Sequence, residues 1–177
     1  MSEGKKADRA IYKVIIEAPI DVVWSELANQ GDTRPFFFNS TLETTALEAG
    51  APYRMVSKKR KSVAVVGEIL ELDPPHRLVQ TFRFTQYDDP PCKVTYLLKE
   101  VPEGTEFQLI TEDVPAGTKT EKSMADGGSF IVNNMKAWIE TGKPTFSGRL
   151  ILTMIDVMEP FAPKATRIEH WSLDRSA

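Results

Sequence analysis

Gly67-Glu68-Ile69-Leu70-Glu71-Leu72-Asp73-Pro74-Pro75-His76-Arg77-Leu78-Val79-Gln80-Thr81-Phe82-Arg83-Phe84 decides how the rest of the chain is read. It is two apolar-rich runs broken by Asp73-Pro74-Pro75, a turn signal. In the second run Leu78, Gln80, Phe82 and Phe84 fall on one face, and Val79, Thr81 and Arg83 on the other. A separator this short joins neighbours as a hairpin, so the two strands pair antiparallel.

The same grammar extends on both sides. Strands are expected at 41–47, 53–59, 63–72, 77–86, 93–100 and 106–113. Their separators are Ala49-Gly50-Ala51-Pro52, Asp88-Asp89-Pro90-Pro91 and Pro102-Glu103-Gly104. Six strands in series make an antiparallel meander. A further strand at 11–17 precedes it and ends at Ala18-Pro19. Pro19 suits a helix entry, because its fixed φ and missing N–H cost nothing there. Ile20, Val23, Trp24 and Leu27 then form one apolar stripe. A second short helix or turn carries Phe36-Phe37-Phe38.

After Asp113 a polar, glycine-containing loop is expected over 114–128. Ser129 would cap a long helix to Thr141, with Gly142 just past its end. Ile131, Met135 and Trp138 share its apolar face. A final helix, 148–159, carries Leu150, Ile151, Met154, Ile155 and Met158 and stops at Pro160 and Pro163. A helix that follows a meander buries its stripe across the concave face of the sheet. The fold expected is therefore α+β: a curved antiparallel sheet of about seven strands gripping a long C-terminal helix, with a pocket between them. The organisation expected is a polar disordered lead at 1–9, one domain at 10–144 and an extension at 145–177.

Three stretches carry a family resemblance. Ala18-Pro19-Ile20-Asp21-Val22-Val23-Trp24 resembles the opening of the START-like, or SRPBCC, superfamily. Gly67 to Val79, then Gly128-Ser129-Phe130 and Met135-Lys136-Ala137-Trp138-Ile139-Glu140-Thr141-Gly142-Lys143-Pro144, are similar to bacterial homologues of the Hsp90 ATPase activator, the AHSA-like subgroup. The resemblance covers residues 10–144 and implies the helix-grip fold already reached. It implies no catalytic set, because that superfamily includes lipid carriers, hormone receptors, polyketide cyclases and chaperone activators.

Composition narrows the functional classes. The net charge is −3 and the densest basic run is Lys58-Lys59-Arg60-Lys61, which reads as a solvated turn. Nucleic-acid binding, which needs a wider basic face, is not expected. Residues 1–9 lack a signal peptide's apolar stretch, and the absence of a long apolar run argues against stable membrane insertion. The single cysteine, Cys92, excludes an internal disulfide, and a cytoplasmic setting fits.

Cys92 stands alone, and the two histidines, His76 and His170, are far apart in the chain. No nucleophile constellation or metal-ligand spacing is present, so no catalytic residue, metal or cofactor is expected. The glycines before Ser129 read as a helix entry rather than an anion site.

The pocket lining is instead expected from Trp24, Phe37, Phe38, Tyr53, Met55, Val66, Phe82, Phe84, Ile131, Met135 and Trp138. Glu68, Gln80 and Glu112 sit among apolar neighbours, with solvent as the default direction. Glu68 follows Gly67, where a bulge can flip the register. Facing inward, each would orient a ligand or act as a base; Glu68 and Gln80 are kept as ligand-binding candidates. Together these residues point to a binder of a small hydrophobic molecule, such as a lipid, an aromatic or a polyketide-like compound. An acid–base enzyme in the same cavity and a cochaperone-like interaction module are the alternatives. The apolar stripe of the last helix packs on its own sheet or on a second copy, giving a homodimer through 145–177.

Overall fold

The computed structural model describes residues 9–173. The lead at 1–9, Arg9 excepted, and residues 174–177 lie outside the described residues. Strand β1 (Ala10–Ile16) is an edge strand that pairs antiparallel with the last strand, β7 (Gly104–Glu112), from Ala10 opposite Thr111 to Ile16 opposite Thr105. Between them come β2 (Ser40–Thr44), β3 (Pro52–Ser57), β4 (Val63–Asp73), β5 (Arg77–Phe84) and β6 (Cys92–Val101). The sheet order is β1-β7-β6-β5-β4-β3-β2, so the meander runs unbroken from β2 to β7 and every pairing is antiparallel.

First and last strands are neighbours because the chain leaves β1 and crosses to the far edge before the meander begins. Helix α1 (Ile20–Leu27) makes most of that crossing, burying Ile20, Val23 and Leu27. Its entry is Pro19, as the sequence suggested. The second short helix is a single 3-10 turn, Pro35–Phe37. Phe38 and Asn39 follow with φ of 56° and 55°. Two successive left-handed non-glycine residues are uncommon and cost energy. They turn the chain sharply into β2.

Two register shifts bend the meander. One lies between Met55 and Val56 in the β3–β4 pairing, and the other between Ile69 and Glu71 in the β4–β5 pairing. Neither falls at Gly67, which pairs regularly with Tyr53. Gly67 serves close approach instead: a β-carbon there would stand 2.1 Å from the Thr81 carbonyl oxygen and 2.6 Å from the Tyr53 ring.

Helix α2 (Lys119–Thr141) corrects the sequence reading. The 114–128 loop is mostly helix, and Ser129 lies mid-helix rather than at the cap. The true cap is Thr118, whose hydroxyl accepts the Glu121 N–H, while the Glu121 carboxylate accepts the Gly117 N–H at 2.6 Å. That is close to the reciprocal pattern of a capping box. Gly142 (φ 73°) ends the helix, donating its N–H to the Trp138 carbonyl at 2.9 Å. The helix lies against β1, β7 and the 3-10 turn. Its 23 residues span about 35 Å.

Helix α3 (Phe146–Met158) follows at once, capped by the Thr145 hydroxyl on the Gly148 N–H. Buried Asn134 of α2 fixes this corner. Its Oδ1 accepts from the Thr145 N–H and hydroxyl at 3.0 and 3.1 Å, and its Nδ2 donates to the Phe130 carbonyl. The remaining tail crosses the outer face of the β3–β4 hairpin. There the Ile168 N–H donates to the Lys61 carbonyl, and Arg54 donates to the Trp171 carbonyl at 2.8 Å.

Candidate functional site: a cavity between sheet, α2 and α3

The inner faces of β3, β4 and β5 do not close fully on α2. A cavity of about 730 Å³ remains between them, within the range of small-molecule sites. Its floor is strand residues, among them Met55, Leu78, Gln80, Phe82 and Val94. One wall is the first half of α2, where Gly127 and Gly128 leave space. Phe38 and Phe130, stacked at 4.1 Å, belong to the same lining.

The outer wall is α3, through Ile151, Ile155 and Met158. Its place is fixed at Asp156. That carboxylate accepts from the Asn39 amide at 3.3 Å and lies 3.6 Å from the Lys58 ammonium, and its backbone carbonyl accepts from the Lys59 ammonium at 2.9 Å. The strained turn at Phe38–Asn39 therefore presents both an aromatic ring to the cavity and an amide to its wall.

Seven of the thirteen residues expected in the pocket meet there: Phe37, Phe38, Met55, Gln80, Phe82, Phe84 and Ile131. Six are placed elsewhere. Val66 pairs with Arg54 and Arg83, so it stands on the outer face of the sheet. Glu68 has the same parity and is exposed. Tyr53 points inward but is fully packed, its hydroxyl donating to the Thr81 carbonyl at 2.7 Å. Met135 is fully buried core. Trp24 and Trp138 also lie outside the lining. The Trp138 indole donates to Glu26, which also pairs with Arg34 at 3.0 Å.

Several lining residues escaped the sequence reading. Tyr96 was visible by alternation with Val94 and Leu98 on β6. Phe130 lay inside the expected helix but outside the apolar face assigned to it, Ile131, Met135 and Trp138. Ile151, Ile155 and Met158 were read as a stripe needing cover, whereas they close the cavity.

Protonation inside is simple. Burial pushes the Tyr96 phenol well above its ordinary value, so it remains a neutral donor. Burial likewise pushes the Cys92 thiol up to about 11, an inert state for a thiol. His76 and His170 are both exposed. Among the described residues no three His, Cys, Asp or Glu side chains converge as a metal site. Of the three polar strand residues, Gln80 faces the cavity, whereas Glu68 is exposed and Glu112 pairs with Lys93 at 2.9 Å.

A bent antiparallel meander holding one long helix over an apolar cavity defines the helix-grip class. The sequence of residues 17–140 matches the family model described as "Activator of Hsp90 ATPase homolog 1-like protein", and the chain belongs to that family within the START-like superfamily.

Solved structures with this fold include three that illustrate its spread. ChR145 from Cytophaga hutchinsonii is 22% identical, with a TM-score of 0.60 over 78% of this chain and 97% of its own. CalU16 from Micromonospora echinospora is 20% identical, with a TM-score of 0.56 over 86% and 93%. The Aha1 dimer from Colwellia psychrerythraea is 11% identical, with a TM-score of 0.62 over 77% and 99%. At these identities the likeness concerns fold alone. No curated protein matches the sequence. No helix among the described residues is long and apolar enough to cross a membrane.

Proposed function

We propose that this protein binds a small hydrophobic molecule in the cavity between the sheet, α2 and α3. A cytoplasmic setting fits that role. The observation that carries the reading is a cavity of about 730 Å³ held open within an apolar, aromatic-rich lining. Burying a ligand's apolar area there supplies affinity at about 25 cal/mol per Å². Aromatic rings from both floor and wall suit a flat or polycyclic molecule.

The test is titration with N-phenyl-1-naphthylamine, a neutral apolar dye that brightens out of water. Saturable one-to-one enhancement is the expected result. It should disappear in Gly127→Leu, whose new side chain would enter the cavity beside Phe38, 3.9 Å from a β-carbon at that position. No enhancement with the folded wild-type protein would sink the reading.

The acid–base enzyme alternative has less support, because two of its three strand groups, Glu68 and Glu112, stand outside the cavity. A second reading, in which α3 also meets a second copy, draws on its outer face. Phe146, Leu150, Met154, Val157 and Phe161 recur at helical spacing and are each at least 60% exposed. The Colwellia protein of the same fold is a dimer. Sedimentation of the wild type and of Met154→Glu checks this: a dimer that the charge dissociates supports it, and a wild-type monomer at high micromolar concentration overturns it.

A further inference from the structure

We infer that the cavity selects a neutral molecule carrying a carbonyl oxygen, held by the Gln80 carboxamide and the Tyr96 hydroxyl. The inference rests on the binding role proposed above and specifies its ligand. Gln80 on β5 stands opposite Val94, and Tyr96 on β6 stands opposite Leu78. The two therefore share the inner face of adjacent strands as a diagonal pair, a spacing that long side chains bridge. Both line the cavity, and both are more than nine-tenths buried, with 6% and 3% of their surface exposed.

Neither side chain has a hydrogen-bond partner among the described residues, and neither is sealed in by packed atoms. Tyr53, the other fully buried tyrosine, shows the usual solution by donating to the Thr81 carbonyl. Buried polar groups are ordinarily satisfied, so two left open on one face of a cavity await a partner from outside the chain. Both offer an N–H or O–H donor, which together suit one carbonyl oxygen.

Charge around the cavity excludes the acidic alternative. Its only lining cation among the described residues is Lys58, and that ammonium is already paired with Asp156. Asp126, Asp156 and Glu159 add negative charge at the lining. A fatty or aromatic acid would bring a carboxylate past these groups to a floor holding no positive charge, and would lose its hydration for nothing. A ketone or quinone on an apolar frame meets no such penalty. Discrimination of this kind comes from leaving the wrong ligand, or the site's own polar groups, unpaired.

The test uses three rigid probes of one shape: fluorene, 9-fluorenone and fluorene-9-carboxylate. Fluorenone should bind about 10-fold more tightly than fluorene, the gain of one well-made hydrogen-bonded oxygen. The carboxylate should bind more weakly than fluorene. Gln80→Leu and Tyr96→Phe should each shrink the ratio of fluorenone to fluorene affinity, with a melting temperature near wild type showing that the fold is kept. The carbonyl stretch of bound fluorenone should lie below its value in hexane and move up in Tyr96→Phe. Fluorene binding with no ketone preference, or tighter binding of the carboxylate, overturns the inference and leaves the cavity role standing. Failure of fluorene, fluorenone and the naphthylamine dye alike removes the role and the inference together.

Discussion

Gly128 of α2 lies directly on the ring of Tyr12 of β1: a β-carbon at position 128 would come within 2.4 Å of the ring. The preceding residue, Gly127, has no such neighbour, its nearest contact being the Phe38 ring at 3.9 Å. Two adjacent glycines in one helix therefore have different physical reasons. One lets the long helix approach the edge strand, and the other keeps the cavity empty.

Alanine at the two positions should act in opposite directions. Gly127→Ala should stabilise by about 1 kcal/mol through helix propensity. Gly128→Ala should destabilise by about 2 kcal/mol, because overpacking against Tyr12 outweighs the same gain. Urea unfolding of the pair decides it; two variants shifting the same way would refute the assignment.

The α2–α3 corner depends on Asn134, which fixes Thr145 and with it the start of α3. Asn134→Ala should cost about 2 kcal/mol, since the Thr145 donors lose a buried acceptor. Limited proteolysis should become faster between residues 142 and 146 before the sheet is attacked. A variant with wild-type cleavage kinetics would show that α3 is held mainly by Asp156. Gly148→Ala should give the same phenotype, because its β-carbon would meet the Asn134 oxygen at 2.0 Å.

Glu43 gives the fold a dependence on acid. Burial alone would raise its carboxyl, but hydrogen bonds from Arg60 and Arg54 hold it below its ordinary value. A depressed folded value means that its contribution is complete above the unfolded-state pKa and is lost as pH falls through the folded one. Glu43→Gln should therefore lower the melting temperature at pH 7 by a few degrees, as the loss of about 1 kcal/mol does in a chain of this size. The difference should narrow towards pH 3. Melting curves at pH 7, 5 and 3 test this; a difference that grows as pH falls would contradict it.

Cys92 should react slowly with aromatic disulfide reagents at pH 8. The residue is 3% exposed and burial pushes the ionisation of its thiol up to about 11. Reaction should accelerate by orders of magnitude in unfolding concentrations of urea. Rapid labelling of the folded protein would mean that the β5–β6 edge of the cavity opens readily.

The meander was legible because four of its five turns carry glycine, proline or aspartate, the exception being the basic run of Lys58 to Ser62 between β3 and β4. Gln80 and Phe82 follow directly from the alternation along β5. Glu68 was allowed inward only by a bulge at Gly67, but Gly67 pairs regularly with Tyr53, so with Val65 inward both Val66 and Glu68 point out. The start of α2 was missed because residues 119–128 bury little beyond Thr120 and Met124, which makes a weak stripe, and because paired glycines imitate a loop. Thr118 and Glu121 were the legible sign of its true beginning. Contacts far apart in sequence, such as Asn39 with Asp156, have no local pattern to announce them.

The family match ends at residue 140, and α3 begins at Phe146. The lining of the cavity is thus built from two stretches with separate constraints. Strands and α2 are bound to the sheet by ladder hydrogen bonds and close glycine contacts, and tolerate little change. The α3 wall is attached at one corner and along one row of polar contacts. Its inward residues, Ile151, Ile155 and Met158, can be exchanged without disturbing the meander. In the binding role proposed above, the appended segment would set the breadth of ligand choice, and the strand residues of the floor would set its chemistry.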